Sequence, residues 1–133
     1  MWQLLQHLGR DVHAAAGEVD LTPMQAMLLD RLEDGVPSPM SDLARQLHCD
    51  KSNLTGLVDG LERRGLVQRT TPPNDRRVRA LVTTEQGRAV RQRLSTRLRE
   101  QNPLLRKLST QQARAMLRLL DRLLDEPSPD TDR

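Results

Sequence analysis

The sequence predicts a mainly α fold with a small β wing, on three observations. Leu, Val, Met and Ala recur at helical spacing through most of the chain. Residues 41–64 hold two such stripes separated by a tight turn at His48-Cys49. From Leu66 to Thr83 that period gives way to two short strand-like runs around Pro72-Pro73-Asn74-Asp75.

Each element follows from local chemistry. Leu4, Leu5, Leu8, Val12 and Ala15-Ala16 share one face, which predicts an amphipathic helix over 2–17 that stops at Gly17. Thr22 caps a second helix, with Pro23 at its first position and Gln25 closing a capping box. Met24, Met27, Leu28 and Leu32 face inward there, and the helix ends before Gly35. Pro37 and Pro39 mark a rigid connection. A short third helix starts near Ser41 and buries Met40, Leu43, Ala44 and Leu47. Asp50 caps the fourth, which packs Leu54, Leu57, Val58 and Leu61 on one side and ends at Gly65.

The strands are Leu66 to Thr71 and Val78 to Thr83; the prolines between them make a protruding wing. Thr83 caps a fifth helix, with Gln86 completing its box, and Val90, Leu94 and Leu98 line its inner stripe. Pro103 ends or kinks it. Ser109 and Gln112 start a sixth helix, with Leu117, Leu120 and Leu124 on one stripe. Residues 127–133 read as a disordered polar tail.

Composition narrows the function. With Phe and Tyr absent and Trp2 alone, the core is aliphatic, and base stacking on rows of aromatic side chains is excluded. The net charge is +3, but it is unevenly placed. Arg63 to Arg79 holds six arginines (63, 64, 69, 76, 77 and 79) against Asp75, which draws polyanions. One cysteine, Cys49, forms no intramolecular disulfide and fits a reducing cytosol. His7, Arg10 and Asp11 interrupt any apolar leader, and no segment is apolar enough to span a bilayer, so a cytoplasmic protein with no membrane partner is expected.

No hydrolase elbow, phosphate loop or metal signature occurs, so neither an enzyme nor a cofactor is expected. His7 and His13 are six residues apart, roughly 240° round a helix, and cannot chelate one ion. The fourth helix instead presents Ser52, Asn53, Gly56, Asp59 and Arg63 opposite its apolar side, beside a hairpin tipped by Asp75-Arg76-Arg77-Val78-Arg79. A small polar helix face fits a major groove, and arginines fit a minor groove.

The runs Leu21-Thr22-Pro23-Met24-Gln25, Met40 to Leu47, Asp50 to Asp59, Leu61 to Val67, Asp75-Arg76-Arg77 and Leu81-Val82-Thr83 resemble, in that order and spacing, the MarR family of bacterial transcription regulators. The resemblance covers about Leu4 to Leu124. It implies a winged helix-turn-helix domain over 21–83, flanked by a helical dimerisation region over 1–20 and 84–126. Leu4, Leu5, Leu8, Val12, Leu117, Leu120 and Leu124 would clasp a homodimer. The recognition helix falls on Asp50 to Arg64, and the wing's Asp-x-Arg motif falls on Asp75-Arg76-Arg77. There Arg77 would reach the minor groove and Asp75 would steady it. Ser52, Asn53 and Thr55 become base readers, and Lys51, Arg63, Arg69, Arg76 and Arg79 phosphate contacts. Where many members carry arginine this chain has Gly56, which removes a guanine-pairing donor but lets the backbone approach DNA closely.

The resemblance further implies a repressor on a pseudo-palindromic operator, released by a small-molecule effector between the dimer helices and the DNA-binding lobe. Two alternatives stay open at this level. One is a thiol-based redox trigger at Cys49, beside a helix N-terminus. The other is a winged fold that docks protein and not DNA.

Overall fold

A computed structural model describes residues 2–109, 111, 112, 115, 116, 118 and 119; the side chains of 2–5, 7, 8, 104 and 105 lie outside that description. The element order is α1 (Trp2–Glu18), α2 (Pro23–Arg31), β1 (Ser38–Pro39), α3 (Met40–Gln46), α4 (Lys51–Arg63), β2 (Val67–Thr70), β3 (Ala80–Thr83), α5 (Glu85–Gln101) and α6 (Pro103–Arg106). Two compact units divide the chain, Met1–Leu98 and Arg99–Arg133. No helix among the described residues is long and apolar enough to cross a membrane.

Main-chain chemistry sets the helix boundaries. α1 runs past Gly17 and turns at Asp20, whose φ is 56°. The amide of Asp20 donates to Gly17 O (3.1 Å) and that of Leu21 to Ala16 O (2.9 Å). The expected stop at Gly17 is therefore displaced, because aspartate also tolerates the left-handed region. Arg64, from the end of α4, satisfies this turn by donating to the carbonyls of Val19 (2.9 Å) and Asp20 (2.6 Å). The same paired closure ends α3, with His48 left-handed at φ 50° and bonds Cys49 N to Ala44 O (3.0 Å) and His48 N to Arg45 O (3.2 Å). It ends α4 at Gly65, φ 68°.

The capping box on α2 is present in full: Gln25 N donates to Thr22 Oγ1 (3.2 Å) and Thr22 N to Gln25 Oε1 (3.1 Å). Asp50 caps α4, accepting from Asn53 N at 2.7 Å. Ser109 and Gln112 exchange the corresponding pair of bonds, at 2.9 and 3.2 Å, ahead of the helical residues that follow.

Three expectations need correction. The segment holding Pro37 and Pro39 is more than a connection: Ser38–Pro39 pairs antiparallel with β3, giving a three-stranded sheet in the order β1-β3-β2. Thr83 is not the cap of α5. It is a buried β3 residue, and its neighbour Thr84 accepts from Gly87 N (3.0 Å) while donating to Gly65 O (2.6 Å). Met27 lies at the surface of α2, where Ala26, Leu28 and Leu29 take the inner face. Pro103 follows the end of α5 and opens the short α6.

The core lies in the first unit. Leu28, Leu29, Leu32, Leu43, Leu54, Val58, Leu61, Leu66 and Leu81 are fully buried there, together with Ala15, Ala16 and Val19 from the end of α1. Each buried leucine contributes roughly 1.5–3 kcal/mol relative to exposure. Of the residues expected to clasp a dimer, Val12 is half-buried. Leu4, Leu5 and Leu8 have undescribed side chains, and Leu117, Leu120, Leu124 and the tail 127–133 lie outside the described residues.

Two threonine variants separate the strand end from the helix cap. Thr84→Val is expected to destabilise by about 1–2 kcal/mol through loss of the cap. Thr83→Val, whose buried hydroxyl has no hydrogen-bond partner among the described residues, should be neutral or stabilising by up to about 1 kcal/mol. Urea unfolding of both proteins measures the difference.

Candidate nucleic-acid interface

The helix-turn-helix is built by α3 and α4 around the left-handed His48. α4 buries Leu54, Val58 and Leu61, so the other side of the helix must face outward. Lys51, Ser52, Asn53, Thr55, Gly56, Asp59 and Arg63 are all exposed there. Asp50 steadies the first turn through the Asn53 amide. Thr55 Oγ1 donates to Lys51 O at 2.8 Å, which commits its proton within the helix and leaves its lone pairs outward. Arg63 Nε donates to Asp59 O at 3.3 Å.

Glycines on α4 differ in what surrounds them. A Cβ built on Gly56 meets nothing within 4 Å, whereas one on Gly60 strikes the Gln25 amide. Internal packing therefore does not demand glycine at 56.

The wing is pinned at both ends. Its base is the β2–β3 ladder from Val67↔Thr83 to Thr70↔Ala80. On its outer side Met40 N donates to Arg79 O at 2.9 Å, tying the start of α3 to the wing. At the tip Arg77 N donates to Asp75 Oδ1 at 2.9 Å, so the aspartate fixes the backbone that carries Arg77. Arg76, Arg77 and Arg79 are exposed, and among the described residues none of their guanidinium groups is ion-paired.

Between the wing base and the starts of α3 and α4 lies an open cleft of about 370 Å³. Lys51, Arg77 and Arg79 converge on it with the hydroxyl residues Ser41 and Thr55. Three cations beside the Ser41 hydroxyl are chemically suited to an anion, whereas Thr55, its proton given to Lys51 O, can only accept there. Ser41 escaped sequence reasoning. The signal was the Met40–Arg79 contact, which depends on the unrecognised strand β1.

Arg69 stands apart from the wing-tip arginines. It lies on β2 and pairs with Asp59 and Glu62 of α4. Its hydrogen bond to Asp59 raises its pKa above the ordinary arginine value; desolvation opposes the shift and Glu62 adds to it. Cys49 is half-buried against the core just before α4.

The sequence profile of the MarR family matches residues 21–78, from just before α2 to the tip of the wing, short of β3. The HTH-type transcriptional repressor NicR of Pseudomonas putida KT2440 is 31% identical over 111 residues, which cover 83% of this chain and 70% of that protein. The chain belongs to the MarR family. Its matches span about two thirds of the length of the curated relatives, 66% and 70% for two of them. Among solved structures, a probable transcriptional regulator from Pseudomonas aeruginosa aligns over 92% of this chain and 96% of its own, at 31% identity and a TM-score of 0.64. CouR from Rhodococcus jostii RHA1, bound to p-coumaroyl-CoA, aligns over 94% and 88% at 27% identity and a TM-score of 0.72. This MarR-family chain is thus a transcriptional regulator with the winged helix-turn-helix fold.

Because no protein atom opposes a methyl at position 56 of this MarR-family helix, Gly56→Ala is expected to raise stability by about 0.8–1 kcal/mol. Thermal unfolding followed by circular dichroism tests the gain.

Proposed function

We propose that the protein is a homodimeric repressor that binds a pseudo-palindromic DNA operator and is released by a small ligand. The observation that carries the reading is the pairing of two exposed probes: the polar face of α4, where Asn53 Nδ2 donates to Asp50 Oδ2 at 3.4 Å, and the Asp75-steadied Arg77 beside it. In a two-fold dimer the two α4 helices would enter successive major grooves, with centres about one helical turn apart or a multiple of it. Asn53 would pair bidentately with adenine, and Ser52 and Thr55 would meet bases or phosphates. With Gly56 at its centre, the helix backbone can approach the groove floor.

Arg77 would enter the flanking minor groove, where narrow A·T-rich DNA concentrates negative potential. Lys51, Arg63, Arg76 and Arg79 would hold phosphates, and Ser41 would join Lys51 and Arg79 on one of them. Dimerisation through the terminal helices draws support from Met116 and Leu119, two large apolar side chains exposed on the single chain. Repression and ligand release draw support from the name of NicR and the bound state of CouR. An effector that binds the released conformation more tightly would shift the population away from DNA.

Size-exclusion chromatography followed by selection of bound duplexes from a random pool tests the whole reading. A monomer indifferent to every duplex in dilute salt overturns it. On a selected duplex, Arg77→Ala should weaken binding by roughly tenfold or more and flatten the plot of log K against log salt by about 1.8 for two protomers, at about 0.9 per neutralised charge. Fluorescence anisotropy at a series of salt concentrations reads both quantities.

A further inference from the structure

We infer that Arg69 is a positioning residue: it is a strut that sets the wing against the recognition helix, and it does not hold a phosphate. The inference rests on the DNA-binding reading above. One terminal nitrogen of Arg69 lies 2.5 Å from Asp59 Oδ1, and the other pairs with Glu62 Oε2. The Arg69 amide also donates to Glu62 Oε1 at 3.2 Å. Both terminal nitrogens of the guanidinium fork and the main chain of β2 are thus committed to α4. The two carboxylates sit one turn apart on that helix, so the fork spans them from the side of the strand.

Burial separates Arg69 from the wing-tip arginines. Its side chain is 33% exposed, whereas Arg76, Arg77 and Arg79 are exposed and have no acidic partner among the described residues. Asp59 is 52% exposed on the outward side of α4, where a bare carboxylate would repel the DNA backbone. If Arg69 turned to a phosphate, it would leave Asp59 and Glu62 unpaired at the same surface. Holding them serves two ends at once. It cancels negative charge on the reading face, and it fixes the distance between α4 and β2, and so between the two probes that must enter neighbouring grooves.

The sign of one substitution tests this. Wild-type protein is first titrated on its selected duplex; failure to bind in dilute salt overturns the DNA reading itself, before any variant is compared. With wild-type binding established, Asp59→Asn should weaken affinity by roughly tenfold, although removing a negative charge alone favours DNA. Arg69→Gln should weaken it similarly while leaving the salt slope at the wild-type value. Both variants should lose hydroxyl-radical protection of the flanking minor groove and keep that of the major-groove half-sites. Binding by Asp59→Asn that equals or exceeds wild type overturns the proposal. So does a salt slope for Arg69→Gln lower by about 1.8 per dimer, the mark of a phosphate contact. Melting curves show whether each variant folds. Should either fail, Arg69→Lys is read in its place: a single ammonium cannot span both carboxylates, so affinity about threefold or more below wild type is expected, and full wild-type affinity overturns the strut.

Discussion

The main chain of Leu66 is the fixed point from which the helix-turn-helix and its wing are built. Its amide donates to Leu61 O and closes α4. Its carbonyl accepts from Thr84 N, which joins the two ends of the wing hairpin just before α5. Its side chain fills the core. α5 then crosses so closely that a Cβ on Gly87 would overlap the Leu66 carbonyl oxygen. α4, the wing and α5 are therefore registered to one peptide unit. The hairpin projects from that junction through the β2–β3 ladder, and beyond the ladder Asp75 Oδ1 holds the Arg77 amide.

Around that point the fold spends charged side chains on main-chain carbonyls as well as on each other. Arg64 closes the turn after α1, and Arg91 of α5 bonds the Leu32 carbonyl and Asp34 after α2. These contacts join segments far apart in sequence and satisfy carbonyls that would otherwise be left open at helix ends. The basic character of the chain thus has two parts. Arg64, Arg69 and Arg91 hold the framework together, while Arg76, Arg77 and Arg79 are exposed and unpaired among the described residues. A net charge cannot distinguish them.

What was legible in the sequence was local. The Thr22–Gln25 and Ser109–Gln112 boxes, the Asp50 cap and the Gly65 stop each depend on residues within one helical turn, so residue type and spacing suffice. The apolar stripe of α4 and its polar complement were legible for the same reason. The rest depended on distant partners. β1 is two residues long, one a proline, and pairs with a strand some forty residues later, so it carries no periodicity of its own. Thr83 and Thr84 are chemically alike, and only the closure onto Gly65 decides which one caps. Arg69 reads as one more basic residue until the fold brings Asp59 and Glu62 to it. Met27 missed the core because α2 turns Ala26 inward in its place.

The outer border of the sheet has its own consequence. β1 offers just two residues there, and Pro39 has no amide hydrogen to give. On the opposite border β2 runs out at Thr70, shortly before Pro72 and Pro73. Neither margin presents a continuous row of donors that a strand from a neighbouring molecule could zip onto. One border is thus a donor short at Pro39 and the other is only four residues long, so each is a poor template for a strand from a neighbouring molecule.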